Sequence, residues 1–196
     1  MNYLKKINRG LILSVIVILT VVFYLVSLSA SQKSQKSKIQ EVCDKYIQAE
    51  VKYRMLPVEY RKYEEMPEEK KNEYIKEMEE NIKPYLPEGS QAVELITRRL
   101  KNGIENQAEG KDIIHNFEKE LIEYEEFVFD KNSVTVTVST DTSYEGPASD
   151  FTSASPRTRT QDTVILQKIK GEWKVVYSDI STPVNAKPDM EMIKAW

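Results

Sequence analysis

The sequence predicts an α+β protein: an N-terminal transmembrane helix, then helices packed on a curved antiparallel sheet. Three observations lead to this prediction. They are an uncharged apolar segment near the N-terminus, helical periodicity over the middle of the chain, and strand-like alternation in the last third. Helices and strands that occupy separate parts of a chain are typical of α+β folds. With 196 residues, the chain has room for one ordinary domain and an appendage.

The N-terminal segment has the length and composition of a membrane span. Residues 11–28 read LILSVIVILTVVFYLVSL, and no charged residue occurs between Gly10 and Gln32. As a helix this segment extends about 27 Å, close to the ~30 Å thickness of the hydrocarbon core. A cleaved secretory signal ending near residues 27–29 is the alternative, although the apolar region of a signal peptide is usually shorter.

These features divide the chain into five predicted regions. They are a short cytoplasmic head (1–10), a transmembrane anchor (11–30), a polar basic neck (31–38), a folded α+β domain (39–182) and a C-terminal tail (183–196). Three basic residues precede the apolar segment and three follow it, so the positive-inside rule does not decide the orientation. We expect the large domain to lie outside the cytoplasm, as in an ordinary signal anchor. Cys43 is the single cysteine, which excludes an intrachain disulfide and suits the exterior of a Gram-positive bacterial cell.

Charge is strongly partitioned along the chain. Residues 1–38 contain six Lys or Arg and no acid, whereas the remainder contains 22 basic and 31 acidic residues. An acidic domain disfavours nucleic-acid binding, which requires a basic surface, so no nucleic-acid partner is predicted. The neck residues Lys33, Lys36 and Lys38 suit the anionic headgroups of the lipid bilayer, the first predicted partner.

The predicted domain begins with a heptad pattern. Two series repeat every seven residues: Ile39, Tyr46, Tyr53 and Tyr60, and, three places later, Val42, Ala49, Leu56 and Tyr63. The pattern fits a coiled-coil stalk that pairs two copies of the chain, or a long amphipathic helix packed on its own domain, with a stripe widened by Cys43 and Ile47. Tyrosines and Pro57 favour the packed helix, because tyrosine is a poor coiled-coil knob and proline ends or kinks a stalk.

Two more helices are predicted before the strands. Pro67 suits the first turn of one helix, which the later Pro84, Pro87 and Gly89 end. Ser90 is the expected N-cap of the next helix, and Gly110 the residue that terminates it. One face of that helix is apolar: Val93, Ile96, Leu100 and Ile104.

The last third of the chain changes to strand-like periodicity. Strands are expected from about Phe117, although residues 113–126 also satisfy a helical period and leave the start of the first strand open. A turn is predicted at residues 130–133, followed by the alternation Val134, Val136 and Val138. Residues 148–162 are rich in Ser, Thr and Asp and are predicted to form a long polar connection rather than a strand.

The final strands form a predicted hairpin that turns at Lys170 and Gly171. In its second strand, alternation puts Trp173, Val175 and Tyr177 on one face and Lys174 and Val176 on the other.

These strands, together with the preceding helices, resemble the nuclear transport factor 2-like superfamily of cone-shaped α+β domains. The residues that carry the resemblance are FVFDKNSVTVTVSTDTSYEG and the closing VILQKIKGEWKVVYSDI. The latter contains the polar-Gly-x-Trp-x-Val pattern of the family's closing strand, here residues 170–175. The resemblance covers roughly residues 38–182. It implies that Trp173 fills the cone and that Tyr124 and Tyr177 belong to its core or to a pocket.

No catalytic constellation is found in the sequence. His115 is the only histidine, so a zinc site built from histidines is excluded, and no nucleophile elbow, phosphate-binding Gly-rich loop or Ca²⁺ loop occurs. Enzymes of the resembled superfamily place Asp, Tyr or His inside the cone, but no such motif transfers onto this chain. We therefore predict no catalytic residue, metal ligand or cofactor, and a non-enzymatic protein.

The predicted function is that of an interaction module in a larger membrane assembly. The layout resembles assembly factors of bacterial conjugation and type IV secretion machines, and also accessory proteins of membrane transporters. The polar connection is the candidate partner-binding loop, because Phe151, Arg157 and Arg159 stand out in an acidic domain, and a disordered hairpin tip is the alternative. A small-ligand-binding or catalytic cone is the rival function, with a pocket that would hold Tyr124, Tyr177, Asp179 or His115.

Overall fold

The described part of the protein has three α-helices followed by four β-strands. The computed structural model describes residues 9–61, 65–146 and 154–182, without the side chains of residues 9–13, 24–32 and 154–156. The elements are α1 (Arg9–Tyr53), α2 (Glu68–Ile82), α3 (Gln91–Ala108), β1 (Asn116–Asp130), β2 (Ser133–Glu145), β3 (Ala154–Ile169) and β4 (Glu172–Asp179). Short 3-10 helices follow α1 and α2, at Val58–Tyr60 and Lys83–Tyr85. The predicted α+β class is confirmed, whereas most of the predicted head, the predicted tail, Tyr63 and Phe151 lie outside the described residues.

The described residues up to Gln40 form one compact unit, and the described residues from Glu41 onward form a second. In the first unit, α1 is continuous through the predicted neck, and large apolar side chains between Val15 and Phe23 are exposed to solvent. Within the described part of the chain, no helix meets the length and apolarity that a membrane crossing requires. The predicted anchor also includes residues 11–13 and 24–30, whose side chains are not described.

The C-terminal part of α1 is an amphipathic helix packed in the second unit. Its buried side chains are Cys43, Tyr46, Ile47, Glu50 and Tyr53, a stripe that includes Tyr46 and Tyr53 of the first heptad series. Val42 and Ala49, in the second heptad series, are only half-buried. The buried stripe is used within the same chain, which supports the packed helix over the coiled-coil stalk.

The predicted starts and ends of α2 and α3 are confirmed. Pro67 is the N-cap residue of α2, directly before its first turn. The hydroxyl of Ser90 accepts a hydrogen bond from the backbone N–H of Val93 at the start of α3. Gly110 follows the end of α3 with φ of 75°, a backbone conformation that glycine adopts at no steric cost. Ile96, Leu100 and Ile104 are buried, as the apolar face predicts.

The four strands form an antiparallel meander in the order β1-β2-β3-β4. The β3–β4 turn has positive φ at both Lys170 and Gly171, as a two-residue hairpin turn requires. The predicted alternation in β2 is confirmed, because Val134, Val136 and Val138 are fully buried. Tyr46 of α1 and Arg99 of α3 both form hydrogen bonds with the hydroxyl of Ser178 on β4, which puts these helices on one side of the sheet.

The prediction that residues 148–162 form a polar connection is wrong for its second half. β3 begins at Ala154, and its polar residues are paired with polar residues of β2, for example Thr160 with Thr140 and Thr158 with Thr142. Alternation of apolar and polar residues is the sequence signal of a strand. A strand that is polar on both faces lacks this signal, so its sequence resembles that of a loop.

The predicted alternation in β4 is wrong after Val175. The register pairs Leu166 with Val175 but Ile165 with Tyr177, so Val176 is an extra residue at a β-bulge. Ser178, rather than Tyr177, therefore shares the helix-facing side with Val175. Trp173 is buried on that same side.

Candidate functional site

One of the buried charged groups is Glu50 of α1, which is fully inaccessible to solvent. Its Oε1 accepts hydrogen bonds from Arg54 and, at 2.7 Å, from the Nη2 of Arg99 on α3. Its Oε2 accepts hydrogen bonds from the hydroxyls of Tyr46 at 2.6 Å and of Ser178 at 2.9 Å. We call these five residues the Glu50 network; it connects α1, α3 and β4.

The electrostatics of the Glu50 network keep its carboxylate ionised. Burial by itself would raise the pKa of Glu50, because a charged group loses its hydration in the interior. The guanidiniums of Arg99 and Arg54 and the hydroxyl of Tyr46 outweigh burial and hold the pKa of Glu50 at about 2. Both carboxylate oxygens are fully bonded, so Glu50 is neither a proton donor nor an available base near neutral pH.

A second buried ion pair lies on the helix-facing side of the sheet. The Nζ of Lys119 on β1 lies 2.7 Å from Oδ1 and 2.9 Å from Oδ2 of Asp162 on β3, reaching across β2. The two side chains are 1% and 0% exposed. Hydroxyls of Thr140 and Thr160 accept further hydrogen bonds from Lys119, and the backbone N–H of Ser181 donates to Asp162.

The pKa values of this pair shift in the directions that burial dictates. Burial raises the pKa of Asp162, although Lys119 acts in the opposite direction. Burial also lowers the pKa of Lys119, although Asp162 opposes that shift. One ammonium therefore compensates the desolvation of one carboxylate less completely than the two guanidiniums around Glu50 do.

A wide groove lies outside the core. It has a volume of about 970 Å³ and runs between the segment 83–93 and the β3–β4 hairpin. Its apolar lining consists of Pro84, Leu86, Pro87, Val93 and Ile169, and Lys and Glu side chains form its rim. A smaller cavity of about 170 Å³ adjoins it, because Pro87, Ser90 and Ile169 line both. We call the two together the hairpin groove.

The structure does not bring the sequence-predicted pocket residues together in these cavities. Tyr124 lies on β1 and donates a 2.5 Å hydrogen bond to Asp44 of α1, and burial raises its pKa. Tyr177 is buried on the opposite side of β4 from Val175. His115 precedes β1 and uses its backbone, donating to Glu145 and accepting from Arg61. Neither these residues nor Asp179 line the hairpin groove.

The two predicted partner-binding arginines are exposed on β3 rather than on a loop. Arg157 lies 3.0 Å from Glu120 of β1, and Arg159 lies 3.7 Å from Asp141 of β2. Each therefore forms a surface ion pair across the sheet. Phe151, the third residue of that prediction, lies outside the described residues.

Sequence reasoning missed both buried ion pairs. A signal for the first was available, because Tyr46, Glu50 and Arg54 are spaced four residues apart and therefore share one helix face, in which a charged residue interrupts the apolar stripe. No comparable signal marks Lys119 and Asp162, since they come together only through the strand register. Among the described residues, no group of three or more His, Cys, Asp or Glu side chains is arranged to hold a metal ion.

Comparison with known proteins identifies no relative, so a functional conclusion depends on the fold and on these sites. No protein-family model, no curated protein and no solved structure matches this chain. The resemblance to the nuclear transport factor 2-like superfamily therefore stays an expectation, and the arrangement of three helices on a four-stranded antiparallel meander is consistent with it.

Proposed function

We propose that this protein is a single-pass membrane-anchored interaction module, with a nuclear transport factor 2-like cone outside the cytoplasm and no enzymatic activity of its own. In this proposal the module is one component of a larger membrane assembly, either a secretion or conjugation machine or a transporter complex. The hairpin groove binds its protein partner.

The observation that carries the proposal is the contrast between the core and the hairpin groove. The buried acids Glu50 and Asp162 have all their oxygens bonded, so they serve packing rather than chemistry. The groove, in contrast, offers apolar side chains at the surface with charged residues at the rim. A concave apolar surface with a few polar groups is the usual form of a binding site.

The membrane anchor is supported by the sequence together with the exposure of the first unit. Eight large apolar side chains of α1 are exposed between residues 15 and 23. Contiguous exposed apolar surface marks a region that another phase or another protein covers. Because no charge occurs from Gly10 to Gln32, a lipid bilayer is the covering that fits best.

Anchoring is tested by alkaline carbonate extraction of membranes from a Gram-positive host that expresses the full chain. We expect the protein to stay in the membrane pellet and the double variant Val17→Lys, Leu19→Lys to move to the supernatant. The control Ser34→Lys, Ser37→Lys adds the same charge within the neck and should stay in the pellet. Recovery of the unmodified protein in the supernatant would refute the anchor.

Partner binding is tested by a photo-reactive amino acid placed in turn at Lys170, on the lip of the hairpin groove, and at Glu59, outside it. We expect a discrete cross-linked species in cells from position 170 and none from position 59. The mass of the cross-linked partner separates a secretion or conjugation component from a transporter subunit. If position 170 gives no cross-linked species in cells that also express the neighbouring genes, the hairpin groove is not the partner-binding site.

A further inference from the structure

The free edge of the sheet is a second candidate surface, whose residues do not line the hairpin groove. β1 comes first in the strand order and pairs with β2 alone among the described strands. The backbone N–H and C=O groups on the outer side of an edge strand are available to another strand. β4, at the other edge, is instead bonded to α3 through Arg99 and Ser178.

Two bulges limit where β1 could accept another strand. The register with β2 shifts between Leu121 and Glu123 and again between Tyr124 and Glu126. Such bulges are one of the devices that protect edge strands from unwanted pairing. From Glu126 to Asp130, however, the register is regular and uninterrupted.

This regular stretch is both apolar and negatively charged at the surface. Val128 is 50% exposed and Phe129 is 41% exposed. Glu126 and Asp130 are exposed and form no ion pair within the described residues. β1 as a whole contains six acids and one base, Lys119, whose ammonium is turned inward to Asp162. Within residues 126–130 the exposed charges are therefore all negative.

We propose that residues 126–130 of β1 dock an extended basic and apolar segment of a partner protein by strand addition. Successive side chains of a strand point to opposite faces, so Glu126, Val128 and Asp130 share one face, and Phe127 and Phe129 share the other. A strand that pairs with residues 126–130 is therefore most complementary when its five residues are basic, apolar, apolar, apolar and basic. The basic residues then lie opposite Glu126 and Asp130. A second copy of β1 is the wrong occupant, because its own acids would lie against these acids.

This inference goes beyond the proposed function, because it concerns a different edge of the sheet and requires neither the anchor nor the hairpin groove. It is tested on the full chain in mild non-ionic detergent, which does not depend on membrane insertion, with the peptide acetyl-Thr-Lys-Val-Ile-Val-Lys-Thr-amide. We expect saturable binding that weakens with salt, together with slower hydrogen exchange of the backbone amides of residues 126–130. Absence of binding, or protection confined to other residues, would overturn the inference.

Two altered peptides separate strand addition from simple charge attraction. A peptide with Glu in place of both Lys residues should not bind. The Lys peptide carrying N-methyl groups on alternate backbone amides should bind about tenfold more weakly, because two backbone hydrogen bonds are lost. Equal affinity of the methylated and unmethylated peptides would show that the backbone of β1 is not used, and would also overturn the inference.

Charge-reversed protein variants provide the matched test on the protein side. Glu126→Lys with Asp130→Lys should weaken the Lys peptide about tenfold or more and create binding of the Glu peptide. Glu59→Lys with Glu65→Lys, which changes the net charge equally at exposed positions away from β1, should leave both affinities within about twofold. Equal effects of the two double variants would mean that only the overall charge matters, contrary to the inference.

Discussion

The two buried ion pairs of this domain each compensate the desolvation of a carboxylate, but with different numbers of cationic partners. Glu50 accepts hydrogen bonds from two guanidiniums and two hydroxyls, and its guanidiniums remain partly exposed, at 19% for Arg54 and 30% for Arg99. Asp162 has one ammonium, that of Lys119, and both of their side chains are essentially inaccessible. The first set of contacts connects helices to β4, whereas the second lies within the sheet.

The difference lies in the opposite charge that acts against desolvation at each carboxylate: two guanidiniums at Glu50 and one ammonium at Asp162. Around Glu50 the partners outweigh desolvation, so its pKa is lowered to about 2. At Asp162 desolvation outweighs one Lys, so its pKa is raised. A buried ion pair is therefore not stabilising by its presence alone, because desolvation can exceed the Coulombic gain.

Removing the carboxylate of Glu50 is expected to have the largest effect on stability. Glu50→Ala removes the carboxylate that compensates the charges of Arg54 and Arg99 and accepts from the hydroxyl of Tyr46, and breaking a buried pair in this way typically costs ~3–5 kcal/mol. The measurement is the free energy of unfolding of the full chain in detergent, from urea titration. A loss below about 1 kcal/mol would show that Glu50 is not the centre of the network.

The pair of Lys119 and Asp162 is expected to behave differently when both partners are replaced. Lys119→Met alone strands a buried carboxylate and should cost ~3–5 kcal/mol, whereas Lys119→Met with Asp162→Leu should restore most of that loss. A double-mutant cycle with the same urea titration gives the coupling. If the double variant is as unstable as Lys119→Met alone, the ion pair contributes more to the stability of the sheet than an apolar pair in its place does.

Acid should destabilise the protein through Glu50 in particular. Its folded pKa of about 2 lies below the usual 4.5, so its contribution is fully present above pH 4.5 and is lost as the pH falls towards 2. The contribution is roughly 3 kcal/mol. Glu50→Gln should therefore flatten the loss of stability between pH 5 and pH 2.5. Asp162, with a raised pKa, contributes in the opposite direction, so Asp162→Asn should not flatten it.

The smallest effect is expected at the exposed ion pairs. Arg157→Ala and Arg159→Ala remove partners of Glu120 and Asp141 on the solvent side of the sheet, and exposed pairs of this kind are worth less than about 1 kcal/mol. Thermal melting of both variants should match that of the wild type to within a few degrees. A loss as large as that of Glu50→Ala would remove the distinction between buried and surface pairs in this domain.

Local features of the fold could be predicted because their signals lie within a few residues of each other. Ser90 caps the helix that it directly precedes, and Gly110 and Gly171 occupy the positive φ values that helix ends and hairpin turns require. The valines of β2 alternate because one face of that strand is buried.

Features that depend on strand register could not be predicted in this way. No sequence pattern near Val176 predicts the bulge, as a result of which Ser178 rather than Tyr177 faces the helices. The polar start of β3 lacks alternation, because its threonines face the threonines of β2. Glu50 was visible as a charge on an apolar face, but its partners Arg99 and Ser178 are 49 and 128 residues away along the chain.

The sequence by itself determined the α+β class, the order of the elements, their caps and turns, and the charge-free segment near the N-terminus. Each depends on composition or on short-range periodicity, which are properties of the sequence and do not depend on how the chain folds. Only the tertiary structure decided that Lys119 meets Asp162, that Glu50 is ionised between two arginines, and that β1 is an edge strand among the described strands. These outcomes depend on which strand pairs with which and in what register, because pairing brings together residues that have no local relation in the sequence.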